Sequence, residues 1–230
     1  EQALRSLVSA RPGEPVHSLQ LTALLEREGK LPEAEKYYRQ LIEGLPGLAV
    51  ARFNFACFLR RRGRLEEALL EHQNALDLNI DQPEEVLSNM GVIHTELRHD
   101  EEARAFLERA LAVNPSYIPA MFNLALLKEE FGDRDGALLL FSRILEQDPG
   151  YYQALVRIAH ARPIGDPGDP VVKKLRRALR RSHVDALTRE SLHFALGKTL
   201  DDCGLYDEAF AQYELGNRCS AVRIRPYDRR

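Results

Sequence analysis

Residues 118–151 read IPAMFNLALLKEEFGDRDGALLLFSRILEQDPGY, and this stretch decides the fold. Met121, Leu124, Ala125 and Lys128 follow the i, i+3, i+4, i+7 spacing of one helical face, the lysine stem lying along the apolar stripe. After a short turn at Gly132, Ala137, Leu140, Phe141 and Ile144 lay down the same stripe again. Asp148-Pro149 closes the second helix, because proline disfavours helix in the residue before it. A single hairpin of this kind cannot bury its apolar faces alone and needs neighbours like itself.

The neighbours are present. Ala34, Ala68, Ala103 and Ala137 recur at spacings of 34, 35 and 34 residues. Gly29, Gly63 and Gly132 each stand five residues before one of these alanines, and Pro12, Pro46, Pro115 and Pro149 keep the same beat. With the glycine at place fifteen, the units run 15–48, 49–82, 84–117 and 118–151, Pro83 being one extra residue. Residues 1–14 read as the second helix of a partial unit ending at Pro12, so the regular array covers 1–151. Residues 152–189 form a degenerate unit. Its first helix, 152–161, keeps Leu155, Ile158 and Ala159 in place. Three prolines and two glycines in 162–170 end that helix, and the array is expected to bend or loosen near Asp166. Helix resumes over Val171–Ser182, and 190–230 hold a final unit and a tail.

These residues resemble the tetratricopeptide repeat. Small residues stand at place eight (Ala56, Gly91, Ala125) and place twenty, with Tyr38, Leu107 and Phe141 at place twenty-four and proline at thirty-two. His72 takes the aromatic's place in the second unit, and Leu41 and Ile144 replace a small residue at twenty-seven. The resemblance implies an all-α fold, a right-handed superhelical array of antiparallel helix pairs, whose leading helices pave a concave groove for another protein.

Bulk properties narrow the functions. The 230 residues are 44% hydrophobic and 29% charged, a globular balance rather than a disordered one. A net charge of −3 argues against a general nucleic-acid binder, which needs a strong basic excess. No apolar run is long enough to span a membrane. Cys57, Cys203 and Cys219 are widely spaced, reading as free thiols of a reducing, cytoplasmic compartment. The chain begins at Glu1 without an initiator methionine, as a piece of a longer protein does.

The candidate site lies on the leading helix of each unit. Place six carries Asn54, Asn89 and Asn123, flanked by Gln20 and Arg157. A primary amide both donates and accepts, so a ladder of them suits an extended peptide backbone. Place five adds Phe53 and Phe122, and place nine Val92 and Leu126, an apolar strip expected to supply most of the affinity. Arg60, Arg61 and Arg62 close one groove segment and Glu96, Glu129 and Glu130 line the next, an order expected to steer a partner of opposite charge order. Lys173, Lys174, Arg176, Arg177, Arg180 and Arg181 make a dense basic helix. Gly197-Lys198-Thr199 is no phosphate loop, since Leu192 stands where its first glycine belongs. The seven histidines show no metal-ligand spacing, and no catalytic motif occurs. The reading is therefore a protein–protein interaction scaffold without catalytic residues, cofactor or metal. Its partner is a protein or peptide, and its terminal repeats are open to self-association.

A narrower resemblance lies in the last unit. Leu192-His-Phe-Ala-Leu-Gly-Lys-Thr-Leu200, Tyr206-Asp-Glu-Ala-Phe210, Gly216-Asn217 and Arg225-Pro-Tyr-Asp228 look like the repeat arm of bacterial tetratricopeptide proteins that continue into a sulfotransferase domain. That resemblance implies a substrate-recognition arm, with the catalytic domain beyond Arg230.

Overall fold

The computed structural model describes residues 1–11 and 13–223; Pro12 and the Arg225–Asp228 motif lie outside them. The described residues form α-helices and no strand. In order these are α1 (Gln2–Ala10), α2 (Pro15–Arg27), α3 (Leu31–Gly44), α4 (Ala49–Arg61), α5 (Leu65–Asp77), α6 (Pro83–Glu96) and α7 (Asp100–Val113). There follow α8 (Ile118–Glu130), α9 (Arg134–Gln147), α10 (Tyr152–Ala161), α11 (Pro170–Leu179), α12 (Ala186–Asp202) and α13 (Tyr206–Arg223). The chain divides into two compact units, Glu1–Ala120 and Met121–Arg230, with the boundary inside α8.

In the first unit α2 pairs with α3, α4 with α5 and α6 with α7, and α1 packs on α2. Prolines open α2, α3 and α6 in the first turn, where a missing N–H is harmless. Asp100, Glu101 and Glu102 lie in the first turn of α7, at the positive end of its dipole. Each leading helix ends in one geometry, with a left-handed residue followed by an N–H that reaches back to the carbonyl five residues earlier. Lys30 donates to Leu25 O (2.8 Å), Arg64 to Leu59 O (3.0 Å) and His99 to His94 O (2.9 Å). The left-handed residue is Gly29 (φ 74°) and Gly63 (φ 72°) in the first two, but Arg98 (φ 62°) in the third. The periodic glycine was a signature of this turn, and the turn persists where the glycine does not.

Small residues set how closely the helices of a pair approach. A Cβ on Gly91 would sit 2.7 Å from Leu107 Cγ and 3.2 Å from the Ala103 carbonyl oxygen, so α6 lies almost against α7. Ala34, Ala56, Ala68 and Ala103 are fully buried. Around them Tyr38 stacks on Phe55 with ring centroids 5.5 Å apart, and Phe58 tilts against the same ring at 5.6 Å. The Tyr38 hydroxyl donates to Glu26 Oε1 at 2.9 Å, so its polar end is satisfied beside the core.

In the second unit α10 packs on α9, α11 and α12, and α12 on α13. Gly197 allows α12 to meet α13, since a Cβ there would stand 2.7 Å from Tyr213 Cε1. Three sequence expectations are corrected here. The Pro/Gly stretch after α10 is not loose. Ile164 is buried, its N–H donates to Asp202 Oδ2 (3.0 Å), and its carbonyl accepts from Cys203 Sγ (2.9 Å). Lys198 Nζ donates to the Arg162 carbonyl at 2.8 Å. These partners lie nearly forty residues downstream, where local punctuation cannot reveal them. The basic helix stops at Leu179 rather than Ser182, because Arg189 of α12 donates to the carbonyls of Leu179 (3.1 Å) and Arg181 (2.8 Å). Finally, α12 starts at Ala186, earlier than the last unit's expected start at 190, because Asp185 accepts from the Thr188 N–H at 3.0 Å as its N-cap.

Replacing Gly91 with valine is expected to destabilise the protein by roughly 1–3 kcal/mol through overpacking against Leu107. Urea unfolding measures this directly, and an unchanged midpoint would contradict the close packing of α6 on α7.

Candidate functional site

In the first unit α4 and α6 present Asn54 and Asn89 in half-buried positions, and α2 presents Gln20 exposed. Neither asparagine amide makes a side-chain hydrogen bond among the described residues. Val92 is half-buried on the face of α6 that continues from Asn89. Phe53 is also half-buried, its ring centroid 5.6 Å from that of His72 on α5. Part of its apolar surface therefore serves packing inside the unit, not a wet groove.

The charge order expected to steer a partner is largely spent internally. Arg60 donates from Nε (3.0 Å) and Nη2 (2.6 Å) to Glu96 Oε1, and Arg61 pairs with Glu26. Helix-to-helix spacing in the stack brings these opposite charges together, which a linear reading assigned to separate groove segments. The amides are thus the polar groups left over on a surface whose neighbouring ions already have partners.

In the second unit the leading helices α8, α10 and α12 line two clefts. One, of about 770 Å³, is walled by Leu126 and Glu129 from α8, Arg157 and His160 from α10, and Lys198 and Asp202 from α12. The other, of about 480 Å³, has Phe122, Val156, Arg157, Leu187 and Thr188 on its walls. Phe122, Leu126 and Arg157 therefore line real concavities. Asn123 is half-buried on α8 beside Phe122, has no side-chain hydrogen bond among the described residues, and is not part of either wall. Phe122 also leans on Phe141 (5.6 Å) and Tyr151 (5.4 Å), which fixes its ring at the cleft edge. Arg157 Nη1 lies 3.5 Å from Glu129 Oε2.

His160 and Lys198 were missed from sequence although both fall at place nine of their units. Reading that place as an apolar strip passed over them. Partial burial lowers the His160 pKa first, and the cations Lys198 and Arg157 lower it further. Burial pushes the Asp202 carboxyl up, but hydrogen bonds from Lys198 (2.6 Å) and the Ile164 N–H outweigh it and leave the group below its ordinary range. Within this cleft Lys198 is paired with Asp202 and Arg157 with Glu129. Elsewhere, burial pushes the Cys57 thiol up to about 11, so it is not a thiolate at neutral pH. No group of three or more metal-ligating side chains occurs among the described residues, and no described helix is long and apolar enough to cross a membrane.

Residues 98–161 match the tetratricopeptide repeat family. Two solved structures cover nearly the whole chain. YrrB, described as a tetratricopeptide-repeat protein with an unusual peptide-binding site, aligns at TM-score 0.57 and 18% identity over 92% of this chain and 98% of its own. A tetratricopeptide repeat protein from Parabacteroides merdae aligns at TM-score 0.62 and 19% identity, covering 95% and 84%. The chain has the fold of a tetratricopeptide-repeat array. At such identities the structures carry the fold alone. Among curated proteins, the uncharacterized protein ycf37 of Pyropia yezoensis is 37% identical over 86 residues, 34% of this chain and 48% of that protein. The chain thus spans about half the length of that relative.

One departure from the tetratricopeptide pattern has a physical price tag of its own. His72, at the aromatic place of the second repeat, is fully buried, and neither ring nitrogen has a hydrogen-bond partner. Burial, then the nearby Arg60 charge, lowers its pKa from the ordinary 6.5 to about 4. The unfolded chain therefore binds this proton more readily than the folded one. Its contribution is fully present above pH 6.5 and is lost as the pH falls through 6.5 toward 4, to a limit of about 3 kcal/mol. His72→Phe, which leaves no unpaired nitrogen, is expected to raise stability and to lack this slope. Urea midpoints for both proteins across that range check it, and parallel slopes would show that His72 is not desolvated.

Proposed function

We propose that this array is a protein–protein interaction scaffold that holds an extended peptide segment on the faces of its leading helices. The observation that carries the reading is that Asn54, Asn89 and Asn123 keep unpaired amides on half-exposed positions, while ions around them are paired. A peptide crossing the first unit would meet Gln20, Asn54 and Asn89 as backbone partners and the exposed edges of Phe53 and Val92 as apolar contacts. In the second unit Asn123 supplies the amide, and Phe122, Leu126 and Arg157 line clefts sized for side chains. Each neutral hydrogen bond nets about 0.5–1.5 kcal/mol, so three of them set orientation and a measurable share of the affinity. The description of YrrB as a peptide binder is consistent with this use of the fold. The three unpaired cysteines fit a reducing, cytoplasmic setting.

A second reading is self-association through the last helix, on which Tyr206 (68% exposed) and Phe210 (66%), one turn apart, leave an apolar pair open. Sedimentation at high concentration tests it, and a monomer throughout would remove it. The sulfotransferase arrangement rests on the sequence resemblance within residues 192–228 and has no support in the family match or the structures described above. Sequencing the gene beyond Arg230 decides it.

The amides make the main reading testable without disturbing the fold. Asn54→Ala, Asn89→Ala and Asn123→Ala are expected each to change stability by less than about 0.5 kcal/mol. Together they should weaken capture of a native partner by roughly tenfold or more. Affinity capture from source-cell extract, quantified by mass spectrometry against wild type, measures the loss. An identical partner set at identical yield with the triple variant would overturn the groove.

A further inference from the structure

The strongest feature outside the leading-helix faces is the basic helix of the second unit. Residues 170–182 hold Lys173, Lys174, Arg176, Arg177, Arg180 and Arg181 and no acidic residue, in a chain whose net charge is −3. All six cations are exposed. Arg176 is paired, with Glu208 of α13 at 2.7 Å. Lys174, Arg177, Arg180 and Arg181 form no ion pair among the described residues. Like charges three and four residues apart, such as Lys173 with Arg176 and with Arg177, destabilise a helix. Helix formation therefore does not require this composition. The apolar stripe of α11 (Val171, Val172, Leu175, Ala178) buries it against the unit and would hold it with any polar outer face.

The geometry adds a slot to the charge. Between α11 and the α9–α10 junction lies a depression of about 300 Å³. Its floor includes Leu145, Leu155 and Tyr152, its rim carries Lys174, Arg177 and Arg181, and no acidic residue lines it. Lys174 and Arg177 are one turn apart on the helix, and Arg181 continues the row beyond its end. Arg189 holds that end by donating to the carbonyls of Leu179 and Arg181, so the backbone of the rim is fixed before any partner arrives.

We propose that this slot docks an acidic peptide segment of another protein, one apolar side chain entering the depression and carboxylates on either side meeting Lys174, Arg177 and Arg181. Charge complementarity supports this occupant, and the apolar floor selects among anions. The chain's net charge of −3 disfavours a nucleic acid as the occupant. An anionic membrane binds more firmly where an exposed apolar face also enters the lipid, whereas the apolar face of α11 is buried in the unit. The site is separate from the amide-bearing faces and stands or falls independently of them.

Fluorescence anisotropy on the full chain tests it with a short dye-labelled peptide of glutamates and aspartates around a central Leu-Phe pair. Saturable binding that weakens with added salt is expected. It should weaken about tenfold or more with the Lys174→Glu/Arg177→Glu/Arg181→Glu variant, and survive both the Asn54→Ala/Asn89→Ala/Asn123→Ala variant and the Lys174→Arg/Arg177→Lys/Arg181→Lys variant. Circular dichroism shows whether the charge-reversed chain folds. If it does not, the peptide carries the test with wild-type protein, since glutamine in place of its acids, or serine in place of Leu-Phe, should abolish binding. Equal affinity for those control peptides, unchanged affinity in a folded charge-reversed variant, or retention on phosphatidylserine vesicles without peptide binding would each overturn the proposal.

Discussion

The close approach of paired helices is the constraint on which the rest depends. Where Gly91 faces Leu107, and again where Gly197 faces Tyr213, the smaller residue lets a bulky neighbour fill the space a Cβ would take. This contact fixes the rotation of the leading helix about its own axis. Once Ala56, Gly91 and Ala125 point into the core, the residues two places before them, Asn54, Asn89 and Asn123, are turned away from it. The proposed binding face is thus a consequence of core packing. Any change that rotates a leading helix would redirect its amide and its apolar edge together.

Electrostatics then decide what that face offers. The stack sets Arg60 beside Glu96, Arg61 beside Glu26 and, in the second unit, Arg157 beside Glu129. Exposed pairs of this kind add little stability, about 0–1 kcal/mol each. Their larger effect is to remove net charge from the leading helices and leave neutral amides as the unsatisfied polar groups. The uncompensated charge collects instead on α11 and the two residues after it, where four cations form no ion pair among the described residues and a depression lies beside them. One chain therefore carries two unlike surfaces, one proposed here for a peptide backbone and one for acidic side chains.

Much of this was legible in the sequence because the repeat has a fixed period and each place has a fixed job. The helix pairs, the buried Ala34, Ala68 and Ala103, and the half-exposed Asn54 and Asn89 all follow from counting places. What counting missed was carried by contacts between residues far apart in sequence. The Pro/Gly stretch at 162–170 signals a broken helix, but the bonds from Asp202, Cys203 and Lys198 that tie it down come from another repeat. Arg189 ends α11 in the same long-range way. Arg98 shows the opposite case, in which no glycine stands at place fifteen of the third unit and the backbone keeps the turn. His160 and Lys198 sat at a place already identified, and were lost because that place was read only for its apolar members.

Native-state hydrogen exchange on α6 and α7 tests the central claim most directly. If the Gly91–Leu107 approach locks leading and second helices into one cooperative element, the core amides of both helices exchange with the same opening free energy and the same denaturant dependence. Core amides of α6 that open at a lower free energy than those of α7 would contradict it, since the leading helix would then hold its face without its partner.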